Sequence, residues 1–151
     1  MKGTIIMNGS IIIIRNNEQV VTADYVDYKD IQKAVGGMIE CYEYIDFCKA
    51  NGEKIQIICW CNEEYLLIDK EELNIINAGA YLINQNSVIY GNVAFLIDKG
   101  NGEERGFTPE ETEEFVSALT NFLKAHSNLI PMVHKRYDGN KPDLRVTFIS
   151  F

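Results

Sequence analysis

No apolar run in this sequence approaches the ~18 residues that a membrane-spanning helix requires. The longest candidate, Ile11–Ile14, is short and flanked by polar residues. The apolar residues after Lys2 are cut by Asn8-Gly9-Ser10, which is not the pattern of a secretory leader. A cytoplasmic protein with no membrane association is therefore expected. Proline is scarce, with three residues, and tryptophan occurs once. Runs of five or six like charges, the mark of an acidic or basic tail, are missing. So is any internal repeat or linker. The four cysteines, Cys41, Cys48, Cys59 and Cys61, contain no C-x-x-C pair, and the two histidines, His126 and His134, do not supply zinc-finger spacing. Buried thiols in a reducing cytosol are the preferred reading over a metal or redox site. No Gly-Lys-Ser/Thr follows the Gly100–Gly102 segment, so it is not a phosphate-binding loop. No cofactor is implied.

The chain does have enough length for one core: 151 residues, 46% of them hydrophobic, read as a single domain that needs no staples. Its 22 acidic residues against 14 basic ones leave a net charge of −8. That balance argues against broad binding to nucleic-acid phosphates. It would suit a DNA mimic, but plain solubility is the preferred account of an excess of this size.

The pattern along the chain predicts an α+β domain, mainly an antiparallel sheet built from hairpins, with two to three helices packed on it. Asn8-Gly9 separates the β-rich runs Gly3–Met7 and Ser10–Arg15, a strong hairpin signal. Because Ile11–Ile14 is continuously apolar, both faces of that strand should be covered, by a helix on one side and by chain or a partner on the other. A bare edge of that kind makes a homo-oligomer reasonable. After the Asn16-Asn17 turn comes a short strand near Gln19–Thr22. A helix over Asp27–Val35 follows, capped by Asp27 or Asp30 and stopped by Gly36 in the left-handed conformation. Gly37 then leads into the strand Met38–Tyr44, which a turn at Asn51-Gly52 joins to Lys54–Trp60. Within the latter, Cys59 and Cys61 share one face and Trp60 takes the other.

Further on, Leu66–Ile68 continues the chain. Glu71–Ile83 has weak helical spacing with Asp69 as its cap. Val88–Ile97 reads as a strand interrupted at Gly91-Asn92, with a bulge preferred to a hairpin. Lys99–Gly106 reads as a charged loop. Thr108-Pro109-Glu110-Glu111 places a cap, a first-position proline and a third-position glutamate. They precede the apolar stripe Phe115, Val116, Leu119, Phe122 and Leu123. After Ser127 the pattern is broken by Pro131 and Pro142, and Leu144–Phe151 alternates like a final strand.

No nucleophile, base and orienting group can be assembled from spacing, and both histidines read as structural or exposed. Glu103, Glu104, Glu110, Glu111, Glu113 and Glu114 read as a solvated helix start favoured by the helix dipole. The candidate binding site is the basic C-terminal stretch: Lys135, Arg136, Tyr137, Lys141 and Arg145, together with His134. Concentrated positive charge beside a tyrosine suits an anion or nucleotide, and charge balance is the plainer account. Exposed members of Tyr25, Tyr28, Tyr42, Tyr44, Tyr65, Tyr81 and Tyr90 would suit a protein interface.

Ile31-Gln32-x-x-Val35-Gly36-Gly37-x-Ile39-Glu40 resembles the signature of a domain-of-unknown-function family carried by phages, plasmids and integrated elements, mainly of Firmicutes. Cys61-Asn62-Glu63 and the Ile89–Phe95 segment are similar to further parts of it, and the helix from Thr108 fits its C-terminal part. The resemblance covers about residues 10–124. It departs after Asn62-Glu63, where Glu64 and Tyr65 replace a usual glycine, and residues 125–151 form an extension without a counterpart. The resemblance implies a mobile-element accessory gene, often near antirestriction genes, and supplies no catalytic residues. The function it implies is a non-enzymatic antagonist of a bacterial defence system, such as an anti-CRISPR, that binds a host defence protein. The alternatives are a sponge for a cyclic or ADP-ribose-type nucleotide signal and a small enzyme with a scattered site.

Overall fold

The computed structural model describes residues 9–64 and 74–139. Its organising strand is the isoleucine run, β1 (Ser10–Ile14). It lies inside the sheet, between β2 (Val20–Asp24) and β5 (Val93–Gly100), in the order β2-β1-β5-β4-β3. Alternation sends Ile12 and Ile14 into one buried cluster and Ile11 and Ile13 into another on the opposite face. Both faces are covered as the sequence requires, and both covers are helices of this chain. β1 is not an edge strand, so it supplies no reason for a homo-oligomer.

Every pairing in the sheet is antiparallel. β3 (Ile39–Cys48) and β4 (Lys54–Asn62) form the longest hairpin, closed at Gly52 with φ 89°. Its register slips between Cys41 and Glu43, a bulge that leaves Tyr42 and Glu43 opposite one partner residue. Two loop expectations are corrected. Lys99–Gly106 is a hairpin, in which β6 (Glu103–Arg105) pairs back on β5 around Asn101 (φ 60°) and Gly102 (φ 76°). Two successive left-handed residues make the turn that Asn-Gly favours. Gly91-Asn92 is neither bulge nor hairpin. Tyr90 bridges to Ile76, the chain bends at Gly91, and the strand proper begins at Val93.

The helix before Gly36 forms as predicted. α1 (Tyr28–Val35) has Asp27 accepting from the Lys29 N–H and Asp30 reaching back to the cap backbone, and it ends at Gly36 with φ 84°. Gly37 has a different reason to be glycine: a Cβ there would stand 2.8 Å from Asn62 Nδ2. That amide donates to Val35 O and its oxygen accepts the Glu64 N–H, tying the end of α1 to the end of β4.

α2 (Ala78–Ile83) is shorter than the predicted Glu71–Ile83, and its cap is Asn77, whose Oδ1 accepts the Ala80 N–H. α3 (Pro109–Ala125) carries the Thr108–Glu111 capping box and lies against the β1–β2 side of one sheet face, reaching β3 and β5 through Phe115. Phe115 sits at its centre, with ring centroids 5.2 Å from Phe47, 5.4 Å from Phe95 and 5.3 Å from Phe107. Aromatic burial of this kind is the largest favourable contribution a small core has. α4 (Ile130–Tyr137) was not predicted. It carries Pro131 in its first turn and packs Val133 and Tyr137 with Ile76, Ala78 and Tyr90 in a satellite cluster. The protein is thus one α+β domain with six strands and four helices among the described residues. The expected strands Gly3–Met7 and Leu144–Phe151, the Leu66–Ile68 segment and the Asp69 cap lie outside the described residues.

Candidate functional site

The basic stretch singled out in the sequence is described as far as Tyr137. Lys135, Arg136 and Tyr137 ride the last turn of α4, with the two cations exposed. Tyr137 turns inward instead of standing free. Its ring lies 5.1 Å from Tyr81, its hydroxyl donates to the Tyr81 hydroxyl at 3.3 Å, and its carbonyl accepts from the Tyr90 hydroxyl. The Arg136 guanidinium stands 5.3 Å from the Tyr137 ring centre. Lys141 and Arg145 lie outside the described residues. His134 is a structural clamp: Nε2 is 2.8 Å from Glu18 on the β1–β2 turn and Nδ1 is 2.8 Å from Asp138. Burial lowers the imidazole pKa, and the two carboxylate hydrogen bonds outweigh it, so the pKa rises above its ordinary value.

A cavity of about 440 Å³ opens between α1 and the β1–β2 hairpin, floored by Ile11 and Ile13. Its rim balances Arg15 and Lys33 against Asp24 and Asp30, so it offers no net charge to hold an anion.

The carboxylate cluster at the start of α3 is corrected at its most important member. Glu111 is 2% exposed and is not part of a solvated surface. It accepts from Arg105, Lys49 and the Thr108 N–H. The Arg105 hydrogen bond leads in holding its carboxyl well below the usual carboxylate range, against burial. Such a group is an anchor rather than a proton donor. Cys59 and Cys61 are buried as expected, and burial pushes the Cys61 thiol up to about 12, which makes it a poor nucleophile. Cys41 and Cys48 depart from that reading, being half-buried and exposed. Among the described residues no group of three His, Cys, Asp or Glu is placed to hold a metal ion. No described helix is long and apolar enough to cross a membrane.

The surface that stands out is aromatic and acidic. Of the candidate tyrosines, Tyr25 and Tyr90 are buried, Tyr42 and Tyr81 are half-buried, and Tyr65 is outside the described residues. Tyr28 and Tyr44 are 53% and 54% exposed, with Val26 and Met38 also exposed. Strand alternation sets Tyr44 and Asp46 on the face of β3 opposite the α3 core, level with Ile58 and Gln56 of β4. On that same face Glu104 of β6 pairs with Asp98 of β5 and accepts the Tyr25 hydroxyl at 3.0 Å. The Tyr25 hydroxyl pKa is raised by burial first and by this hydrogen bond second. Acidic residues in strands gave no sequence signal for this grouping, because it assembles from four strands.

The model of a family described as a domain of unknown function, DUF3846, matches residues 7–120. No curated protein and no solved structure matches the chain. The chain belongs to the DUF3846 family.

Proposed function

We propose that this member of the DUF3846 family is an accessory protein of a phage or plasmid. In this reading it antagonises a bacterial defence system, as an anti-CRISPR or similar inhibitor, by binding a defence protein directly and without turnover. The observation that carries the reading is the pairing of large exposed side chains, Tyr28, Met38 and Tyr44, with a strongly acidic body. Aromatic anchors supply most of the energy of protein interfaces, and a net charge of −8 steers the chain toward basic partners. Basic surfaces are where defence enzymes hold nucleic acid. The test is co-purification with purified defence effectors, read by size exclusion, alongside phage plating on cells carrying the same system. A stoichiometric complex and restored plating are expected. No complex with any effector, or a complex without restored plating, overturns the reading.

A second reading, a sponge for a defence nucleotide, is favoured by one observation, the Arg136 guanidinium over the Tyr137 ring. A tight ligand at a hundredfold excess over Kd adds about 2.7 kcal/mol of stability. Thermal shifts with cyclic and ADP-ribose-type nucleotides decide it. No shift, or one unchanged by Arg136→Ala, removes this reading.

A further inference from the structure

The two faces of the sheet are covered unequally. α3, of 17 residues, lies over one face. α1, of eight residues, lies over the other, and its buried cluster reaches Ile11, Ile13, Ala94 and Leu96, with Ile39 and Trp60 at its margin. Past that margin Tyr44, Asp46 and Gln56 are exposed, while Ile58, the neighbour of Tyr44 across the β3–β4 pair, is 4% exposed. Tyr44 thus has a buried apolar neighbour beside it on β4 and meets solvent over its own face.

We propose that this half-face, with Tyr44 and Asp46 exposed and Asp98 and Glu104 half-exposed, is where the protein partner docks, and that the partner presents an arginine-bearing cationic segment to it. The proposal deepens the binding reading above and rests on it. Its argument is complementarity. Three carboxylates and an exposed ring stand on one face of β3, β5 and β6, bordered by Lys54 at one end and, at the other, by Lys99 and Arg105, which line a pocket with Glu104. Asp46 is two residues along β3 from Tyr44 on the same face, about 7 Å away, and a guanidinium bonds favourably within ~6 Å of a tyrosine ring centre. One arginine can therefore stack on Tyr44 and hydrogen-bond Asp46, while Asp98, two strands away across β4, is left for a second cation of the segment. Lysine, a compact and strongly hydrated charge, matches this less well than the planar guanidinium. A second copy of the chain is disfavoured as the occupant, since a two-fold contact through this face sets carboxylates against carboxylates.

The experiment titrates the isotope-labelled full chain with an oligo-arginine peptide, an oligo-lysine peptide and a neutral Gly-Ser peptide, following backbone amides by NMR. Arginine peptide should shift amides of Tyr44, Asp46, Gln56 and Asp98, bind more tightly than lysine peptide, and weaken as salt is raised. Tyr44→Ala should weaken it about tenfold, and Asp46→Asn should weaken it while leaving the spectrum of the free protein folded. Equal binding of both cationic peptides, shifts centred on Glu110, Glu113 and Glu114 instead, or self-association through Tyr44 would each overturn the proposal. Applied to a captured defence protein, the same variants separate the two ideas. A complex that survives both substitutions sinks this surface and leaves the binding reading standing. Arginine-selective binding at the face, with no effector captured, supports the surface and sinks the antagonist reading.

Discussion

Arg105 grips Glu111 with both terminal nitrogens, Nη1 to Oε1 at 2.7 Å and Nη2 to Oε2 at 2.9 Å. Lys49 adds a third contact to Oε2 at 3.0 Å. This joins the β5–β6 hairpin, the β3–β4 turn and the start of α3 at one carboxylate. Glu111→Gln leaves the guanidinium facing a neutral amide, and breaking a buried pair from one side costs about 3 kcal/mol. Denaturant unfolding should show that loss. Glu110→Gln, on the exposed side of the same turn, should stay within about 0.5 kcal/mol of the parent. The sign with pH also follows. The folded-state carboxyl lies below its unfolded value, so its stabilisation is complete above about pH 4.5 and is lost as pH falls below that. Unfolding midpoints of parent and Glu111→Gln should converge in acid.

His134 works in the opposite direction. Its folded-state pKa is raised, so the clamp on Glu18 and Asp138 is complete below about pH 6.5 and is lost as pH rises through the folded value. Hydrogen exchange of α4 amides, corrected for intrinsic rates, should speed up across that interval. His134→Gln should remove the pH step, and a step that persists in the variant would mean another group releases α4.

Gly37 and Asn62 are expected to be coupled. Gly37→Ala places a methyl against the Asn62 amide, which then gives up its bond to Val35 O. In an Asn62→Ala background the same substitution has room, so its cost should fall by about 0.5 kcal/mol or more in a double-mutant cycle. Gly36→Ala, by contrast, meets no neighbour within 4 Å and should cost about 1 kcal/mol from its left-handed φ alone. Additive behaviour of Gly37 and Asn62 would show the contact to be unimportant.

Asn77 is fully buried and donates to both Ile14 O and Gly91 O while capping α2. Asn77→Ala leaves two carbonyls without these donors, so a loss of at least about 2 kcal/mol is expected by thermal or chemical unfolding. Asn77→Asp should not rescue it, because a carboxylate supplies no N–H.

Much of the fold is legible locally. The Asp27 and Thr108 caps, the Gly36 stop and the Asn51-Gly52 turn depend on residues within a few positions of one another, whose φ preferences and side-chain reach are set by covalent chemistry. The same logic applies to Asn101-Gly102, a readable hairpin signal obscured by the charge around it. α4 was illegible because Pro131 suggests a break, and because its helix is held by contacts with α2 and Tyr90 instead of by its own pattern.

The sequence by itself determined that this chain is acidic, antiparallel and α+β, with Ile11–Ile14 buried on both faces, since alternation and charge are properties of the chain. Tertiary structure alone decided which carboxylate is buried and which tyrosine is exposed. Glu111 meets Lys49 across 62 positions and His134 meets Glu18 across 116, and Tyr44 is exposed because an eight-residue helix covers only part of its face. Burial and pairing depend on which distant strands become neighbours, and no local preference encodes that.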